Sequence, residues 1–329
     1  MIFGILIRAM TKSSSLISIV VPVYNESSNL PGLHTSLSSV LSKAEYAFEV
    51  IYVNDGSRDD SLQILHEIAA KDSRVRILSL SRNFGKEIAT TAGLHTARGT
   101  AIITLDADGQ HPVELIPKFI ARWKLGAKVV IGVRTANQRE GIVKRLGSKL
   151  FYRTINWFAS THIVPKSTDF RLIDRVVQQA FAQMTERNRI TRGLIDWLGY
   201  ERDYIEYVAN ARQHGDAGYS FRSLVKLAVD SVVSLSVSPL YIAAYLGAFV
   251  LPVSVLLFLF MVSDAILRDP LNLRLTGGAY VLVLMLFLIG VLLLSQGIIG
   301  LYLSHIHSET QNRPLYIVDE QHSLGLTHV

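Results

Sequence analysis

The stretch "ITLDADGQHP", Ile103–Pro112, decides how this chain is read. Residues that favour an extended backbone run into two aspartates one residue apart, followed by Gly, Gln, His and Pro, which break the strand. Carboxylates this close raise each other's pKa unless positive charge stands between them. A strand ending in such a pair calls for a cation, and a D-x-D of oxygen donors suits Mg2+ or Mn2+, hard ions that usually keep phosphate oxygens in their shell. Asp106 and Asp108 are the candidate ligands. His111 sits beside Pro112 at a helix start, which favours a structural or substrate-facing role over that of a third ligand.

On either side of this stretch, β-rich runs alternate with helical patterns. Strands are expected at Ile17–Val21, Phe48–Asn54, Val75–Ser79, Ala101–Leu105 and Lys128–Ile131. Apolar residues at three-to-four spacing predict helices at Asn29–Leu41, Asp60–Ala70, Glu87–Ala97 and Pro112–Trp123. Such alternation means a parallel, Rossmann-like α/β sheet, whose ligand site lies beyond the carboxyl ends of the strands. Polar clusters fall at those ends: Tyr24-Asn25-Glu26, Asn54-Asp55-Gly56-Ser57, Arg82-Asn83 and Asp106-Ala107-Asp108. Asp55 has two readings, turn and cap chemistry together with Ser57 or Asp59, or a hydrogen bond to a nucleotide base or ribose. Pro22, Tyr24 and Glu26 would wall the same pocket.

The chain has 329 residues, 49% of them hydrophobic, and a mean hydropathy of +0.30, high for a purely soluble protein. The excess lies beyond Pro239, where Leu240–Val262 and Gly278–Leu303 are each long enough to cross the roughly 30 Å hydrocarbon layer. Ahead of them, Tyr219–Ser236 predicts an amphipathic helix, with Arg222, Lys226, Asp230 and Ser234 on one face, suited to lying in the membrane interface. Between Val133 and Val208 the pattern loosens and predicts mixed helices carrying basic residues. Net charge is +6, and the basic residues before the spans favour a cytoplasmic catalytic domain with both termini on that side. No zinc-finger spacing or basic–aromatic patch supports nucleic-acid binding. Cysteine is absent, which excludes disulfides, thiolate metal sites and thiol nucleophiles. The apolar start "MIFGILIRAM" is too short to span a bilayer, and Met10 would make a natural start ahead of the first strand.

The segments "VVPVYNE", "VNDGSRDDS", "SRNFGKE", "LDADGQHPVELIP", "TDFRLIDR" and "ERNRITRGLIDWLG" stand in the order seen in family 2 glycosyltransferases of the polyprenyl-phosphate type. Nearly the whole chain beyond Leu16 resembles this group, which includes dolichyl-phosphate mannose synthases and, more similar, the bacterial undecaprenyl-phosphate (bactoprenol) glucosyltransferases. The resemblance implies a GT-A fold, a Rossmann-like mixed sheet. It would occupy residues 16–218 after a tail of 1–15, and be followed by the interfacial helix 219–236, a two-span hairpin within 237–303 and a cytoplasmic tail 304–329. It implies a nucleotide-sugar donor, UDP-glucose first, a divalent ion (Mg2+ or Mn2+), a polyprenyl-phosphate acceptor in the bilayer and a flippase for the lipid-linked product. Self-association through the spans would be compatible with it.

Carried over by motif, Asp106, Asp108 and Gln110 would hold the metal. Pro22, Tyr24, Glu26, Asp55 and Asp106 would meet the nucleotide sugar. Arg134, Lys144, Arg145, Arg171 and Arg212 would meet phosphate, chiefly that of the acceptor. Asp169 occupies the place of the catalytic base. A phosphate monoester has a second pKa of about 6, so its oxygen is already a nucleophile at neutral pH, and Asp169 is as well suited to steering the phosphate or holding Arg171. The chain departs from the family at Ala217 and Gly218, where Ser and Lys are usual, and at Leu301, Ser304 and His305 in "GLYLSHIH". The absence of a Q-x-x-R-W run argues against a processive polymerase. Intact Asp106, Asp108 and Asp169 argue against a non-catalytic membrane scaffold.

Overall fold

The computed structural model describes residues 15–135, 167–187, 189–209 and 277–326, with isolated positions at 245, 249, 252, 253, 256 and 259. Seven strands form one sheet in the order β3-β2-β1-β4-β6-β5-β7. They are β1 (Leu16–Val23), β2 (Ala47–Asn54), β3 (Val75–Ser79), β4 (Ala101–Thr104), β5 (Val129–Arg134), β6 (Ser167–Asp174) and β7 (Arg202–Tyr207). The helices about the sheet are α1 (Leu30–Ser42), α2 (Ser61–Lys71), α3 (Lys86–Thr96), α4 (Ile116–Lys124), α5 (Arg175–Ala182) and α6 (Thr191–Trp197).

The five strands read from the sequence are present within a few residues of their expected bounds. Side-chain alternation divides the interior into two layers. Ile17, Ile19, Val21, Val50, Tyr52 and Ile103 point to the layer covered by α1, α2 and α4. Val20, Ile51, Val53, Ile102 and Ile131 point to the other, which holds Ala89 and Ala92 of α3 and Val177 and Phe181 of α5. Gly93 of α3 is needed for that second layer: a Cβ there would stand 2.3 Å from Val20 Cγ1 and 2.9 Å from Val53 Cγ2.

The sheet is mixed, as the expected GT-A fold requires, and not parallel throughout as strand–helix alternation by itself would make it. β1 runs parallel to β2 and β4, but β6 lies antiparallel between β4 and β5. In the stretch before Val208, where mixed helices are expected, the described residues hold the helices α5 and α6 and, in addition, the strands β6 and β7. β6 carries Asp169, Arg171 and Asp174 inside a buried strand, so no hydrophobic run marks it. β7, "RDYIEY", buries Ile205 and Tyr207 and exposes Tyr204 and Glu206, an ordinary half-buried alternation.

The outer edge of β3 is not left open. Ile77 pairs with Leu324 and Leu80 with Val318 in antiparallel bridges. Arg76 Nε donates to the Gly325 carbonyl at 2.9 Å, and the Arg187 guanidinium to that of Arg313. Residues 313–326 therefore cap the edge of the sheet.

The described residues fall into two compact units: the sheet with its helices and 313–326, and a second unit containing α7, Gly277–Thr310. Tyr280–Ser304 of α7, 25 residues whose most apolar 18-residue stretch has a mean hydropathy of 2.7, is long and apolar enough to cross a bilayer. The expected interfacial helix lies outside the described residues. So does most of the expected first span, although Tyr245, Phe249, Val253, Leu256 and Leu259 have helical backbone.

Candidate active site

The cleft lies at the carboxyl ends of β1, β2 and β4, as expected for an α/β sheet. Its cavity of about 400 Å³ is lined by Pro22, Tyr24, Glu26, Asp55, Asn83, Lys86, Asp106 and Asp108, among others. All five residues expected to meet the nucleotide sugar are thus brought together.

Two loops shape the wall. Asn25, at the end of β1, has the left-handed φ of 53° that asparagine tolerates. Its Oδ1 accepts from Arg58 N at 2.8 Å, while its own N–H donates to Ser57 Oγ at 3.1 Å. Asp59 accepts from Ser27 N and Ser61 N, both at 3.1 Å, and so joins this loop to the start of α2. Gly56 approaches the second loop so closely that a Cβ would stand 2.5 Å from the carbonyl carbon of Arg82.

Asp55 combines its two expected readings. It lines the cleft, yet its carboxylate is already engaged, accepting from Phe84 N at 2.7 Å and Gly85 N at 2.9 Å. Burial raises its pKa, against the lowering effect of those two N–H groups. The two bonds fix the loop that ends at Gly85 (φ 97°), directly before Lys86, the first residue of α3.

Lys86 is the residue that sequence reasoning passed over. Its Nζ stands 2.7 Å from Asp106 Oδ1 and 2.7 Å from Asp169 Oδ2. The antiparallel placement of β6 makes this bridge possible. Thr104 pairs with Arg171, so two residues further along the same register Asp169 faces Asp106. Thr104 Oγ1 also donates to the Asp169 carbonyl. Burial alone would lower the Lys86 pKa, but the two carboxylates hold it well above its ordinary value. Burial would likewise raise Asp169, and the charges of Lys86 and Arg192 overcome it, so that Asp169 stays ionised far into acid. A lysine at the first turn of a helix opposes the helix dipole. That mismatch in "NFGKE" was the available signal.

The D-x-D loop is held by backbone contacts. The Asp106 N–H donates to His111 Nδ1 at 3.0 Å, which leaves the imidazole proton on Nε2. His111 is buried and stacked on Phe170 at 5.2 Å, and its pKa is lowered first by burial. These contacts tie it to the backbone of the D-x-D loop and to β6. Gln110 donates its N–H to Asp108 Oδ1 at 3.1 Å, and its Oε1 accepts from Arg134 Nη1 at 3.4 Å, so Arg134 reaches the D-x-D loop.

Arg171 departs from expectation. Its side chain is 2% exposed and pairs with Asp196 Oδ1 at 3.1 Å. Its Nε donates to the Thr168 carbonyl, and its Nη1 to that of Arg192. It is an internal cation that braces β6 against α6, too buried to meet an acceptor phosphate. Lys144, Arg145 and Arg212 lie outside the described residues.

Residues 18–180 match the profile of glycosyl transferase family 2. The chain is 38% identical to an uncharacterized glycosyltransferase, YkcC, of Bacillus subtilis, over 93% of this chain and 94% of that one. The chain belongs to glycosyltransferase family 2. It is also 36% identical to the SfII prophage-derived bactoprenol glucosyl transferase of Shigella flexneri, over 93% of this chain and 98% of that protein. Among solved structures, glucosyl-3-phosphoglycerate synthase from Mycobacterium tuberculosis aligns with a TM-score of 0.43 at 19% identity, over 67% of this chain and 77% of that one, a likeness too distant to inform the site.

The donor set fits a divalent ion. Asp106 and Asp108 are hard oxygen donors at the cleft, and Asp106 already attracts a cation in the form of Lys86. Among the described residues no group of three or more His, Asp or Glu side chains forms a closed cage. Two carboxylates with room for phosphate and water are what a Mg2+-like ion takes.

Proposed function

We propose that this glycosyltransferase moves a hexose, glucose from UDP-glucose, onto undecaprenyl or another polyprenyl phosphate, with inversion at the anomeric carbon. The observation that carries this reading is the cleft lined by Asp106 and Asp108, with Asp169 joined to Asp106 through Lys86, in a chain 36% identical over nearly its full length to a bactoprenol glucosyl transferase.

Pro22, Tyr24 and Glu26 wall the nucleotide side, and Asp55 both lines that wall and fixes the loop bearing Lys86. Asp106 and Asp108, with Gln110 beside them, would hold Mg2+ or Mn2+, which when bound supplies charge stabilisation for the departing diphosphate. Arg134, with Lys144, Arg145 and Arg212, supplies cations for phosphate. The acceptor arrives ionised at neutral pH, and an Asp169 held ionised by Lys86 is suited to orienting it and to stabilising positive charge that develops at the sugar carbon.

The reaction belongs at the cytoplasmic membrane face. The sheet unit contains chain on both flanks of α7, up to residue 209 and again from 313. If α7 crosses a bilayer, a second crossing must precede it for both flanks to share one side, and Leu240–Val262 is the candidate. Anchoring of this kind raises the effective concentration of a lipid acceptor.

The test is a panel of labelled UDP-glucose, UDP-N-acetylglucosamine, UDP-aminoarabinose and GDP-mannose, each incubated with undecaprenyl phosphate and Mg2+ or Mn2+ and analysed for lipid-linked product. UDP-glucose is expected to give product. Product from another donor alone would reassign the sugar, and folded protein that binds donors without turnover would replace the enzyme by a nucleotide-sugar-binding scaffold.

A further inference from the structure

The D-x-D aspartate and Asp169 share one ammonium, at 2.7 Å from each. Lys86 stands where a ligand-binding cation is wanted, yet it belongs to the chain. It is not locked there. Its side chain is 44% exposed and starts at the first residue of α3, just after a glycine at φ 97°. A divalent ion on Asp106 would sit beside this ammonium, and like charges that close repel.

We propose that Lys86 is an exchanging counter-ion of the transfer reaction: it holds Asp106 and Asp169 together beforehand, yields Asp106 when a divalent ion binds, and then donates to a phosphate oxygen while remaining paired with Asp169. This inference rests on the reading above. In the transfer, an acceptor phosphate oxygen bonds to the anomeric carbon as the bond from that carbon to the diphosphate oxygen breaks. The bonding pair leaves on the diphosphate. Lys86 keeps its proton throughout and supplies a hydrogen bond and a charge. The phosphate it meets belongs either to the nucleoside diphosphate or to the lipid.

The arrangement also explains why Asp55 is engaged with the loop before Lys86. Its bonds to Phe84 N and Gly85 N set where α3 begins, and so where the ammonium can reach. Asp55 is in this respect a positioning residue for Lys86.

The test compares wild type, Lys86→Met and Lys86→Arg by the electron paramagnetic resonance signal of free Mn2+, without nucleotide. Lys86→Met removes the competing charge and is expected to bind Mn2+ about tenfold more tightly, about 1.4 kcal/mol. Lys86→Arg keeps the charge and should stay within about twofold of wild type. In wild type, amine-reactive labelling of Lys86, read by mass spectrometry, should rise with Mn2+ alone. It should fall again on adding UDP if the diphosphate is the partner, or only on adding farnesyl phosphate if the acceptor is. Mn2+ affinity unchanged or weakened in Lys86→Met, or labelling indifferent to Mn2+, overturns the proposal, and the labelling arm requires no variant to fold. A wild type that yields no lipid-linked product fails the functional reading while leaving the Mn2+ comparison intact. Product formation by Lys86→Met at the wild-type rate fails this inference and leaves the functional reading standing.

Discussion

The N–H of Gly85 donates to Asp55 Oδ2 at 2.9 Å, so a carboxylate at the end of β2 fixes the loop leading out of β3. The neighbouring Phe84 N–H, on Oδ1 at 2.7 Å, makes the hold two-pronged. Asp55→Ala removes the acceptor of two loop N–H groups. It should cost about 1–3 kcal/mol of stability and weaken UDP binding by about tenfold or more. Thermal melts and calorimetric titration with UDP check both, and unchanged UDP affinity would show that the loop does not organise the donor site.

Asp108 lines the cleft and accepts from the Gln110 N–H at 3.1 Å through an oxygen that asparagine also offers. Asp108→Asn should therefore lower turnover by at least about a hundredfold and leave the melting temperature within a few degrees of wild type, if the ion supplies the several kcal/mol expected of such sites. Near-normal turnover would remove the metal role.

A pH prediction comes from Asp174, which is far from the cleft. Burial would raise its pKa, but the Trp123 indole at 2.8 Å, the Val176 N–H at 3.0 Å and the Lys128 ammonium at 3.1 Å outweigh burial and hold it below the ordinary 3.8. A depressed carboxylate stabilises the fold above its unfolded pKa, and the contribution is lost as pH falls through the folded value. Asp174→Asn should accordingly be less stable than wild type at pH 7, with the gap narrowing below about pH 4. Urea unfolding at both pH values measures it, and a gap that widens in acid would contradict the assignment.

Gly93 tests the packing of α3. A methyl group there meets Val20 and Val53 on two central strands, so Gly93→Ala should destabilise by about 1–3 kcal/mol despite its better helix propensity. A stabilised variant would mean that α3 is free to shift, and with it Lys86.

The sheet's first five strands could be read from their apolar runs because each is buried on both faces, as "SIVVPV" in β1 shows. β6 could not, since its interior carries Asp169 and the buried Arg171, whose partner Asp196 lies 25 residues away. A charge compensated at that distance leaves no local signature. The D-x-D and the cleft wall were legible because each rests on neighbours in sequence. The partners of Lys86 were not, because they depend on β6 reversing direction and bringing Asp169 opposite Asp106. The burial of Arg171 was hidden for the same reason.

The capping of β3 by residues 313–326 has a consequence for biosynthesis. Arg76 must wait for Gly325, 249 residues later, before the edge of its strand is closed. A nascent chain would carry an unpaired strand edge, open to wrong partners, until α7 had been made and the tail released. Ending the chain before residue 313 should therefore yield protein that aggregates during expression rather than one merely lacking activity. In this molecule the segment that closes the sheet is synthesised after every strand it protects.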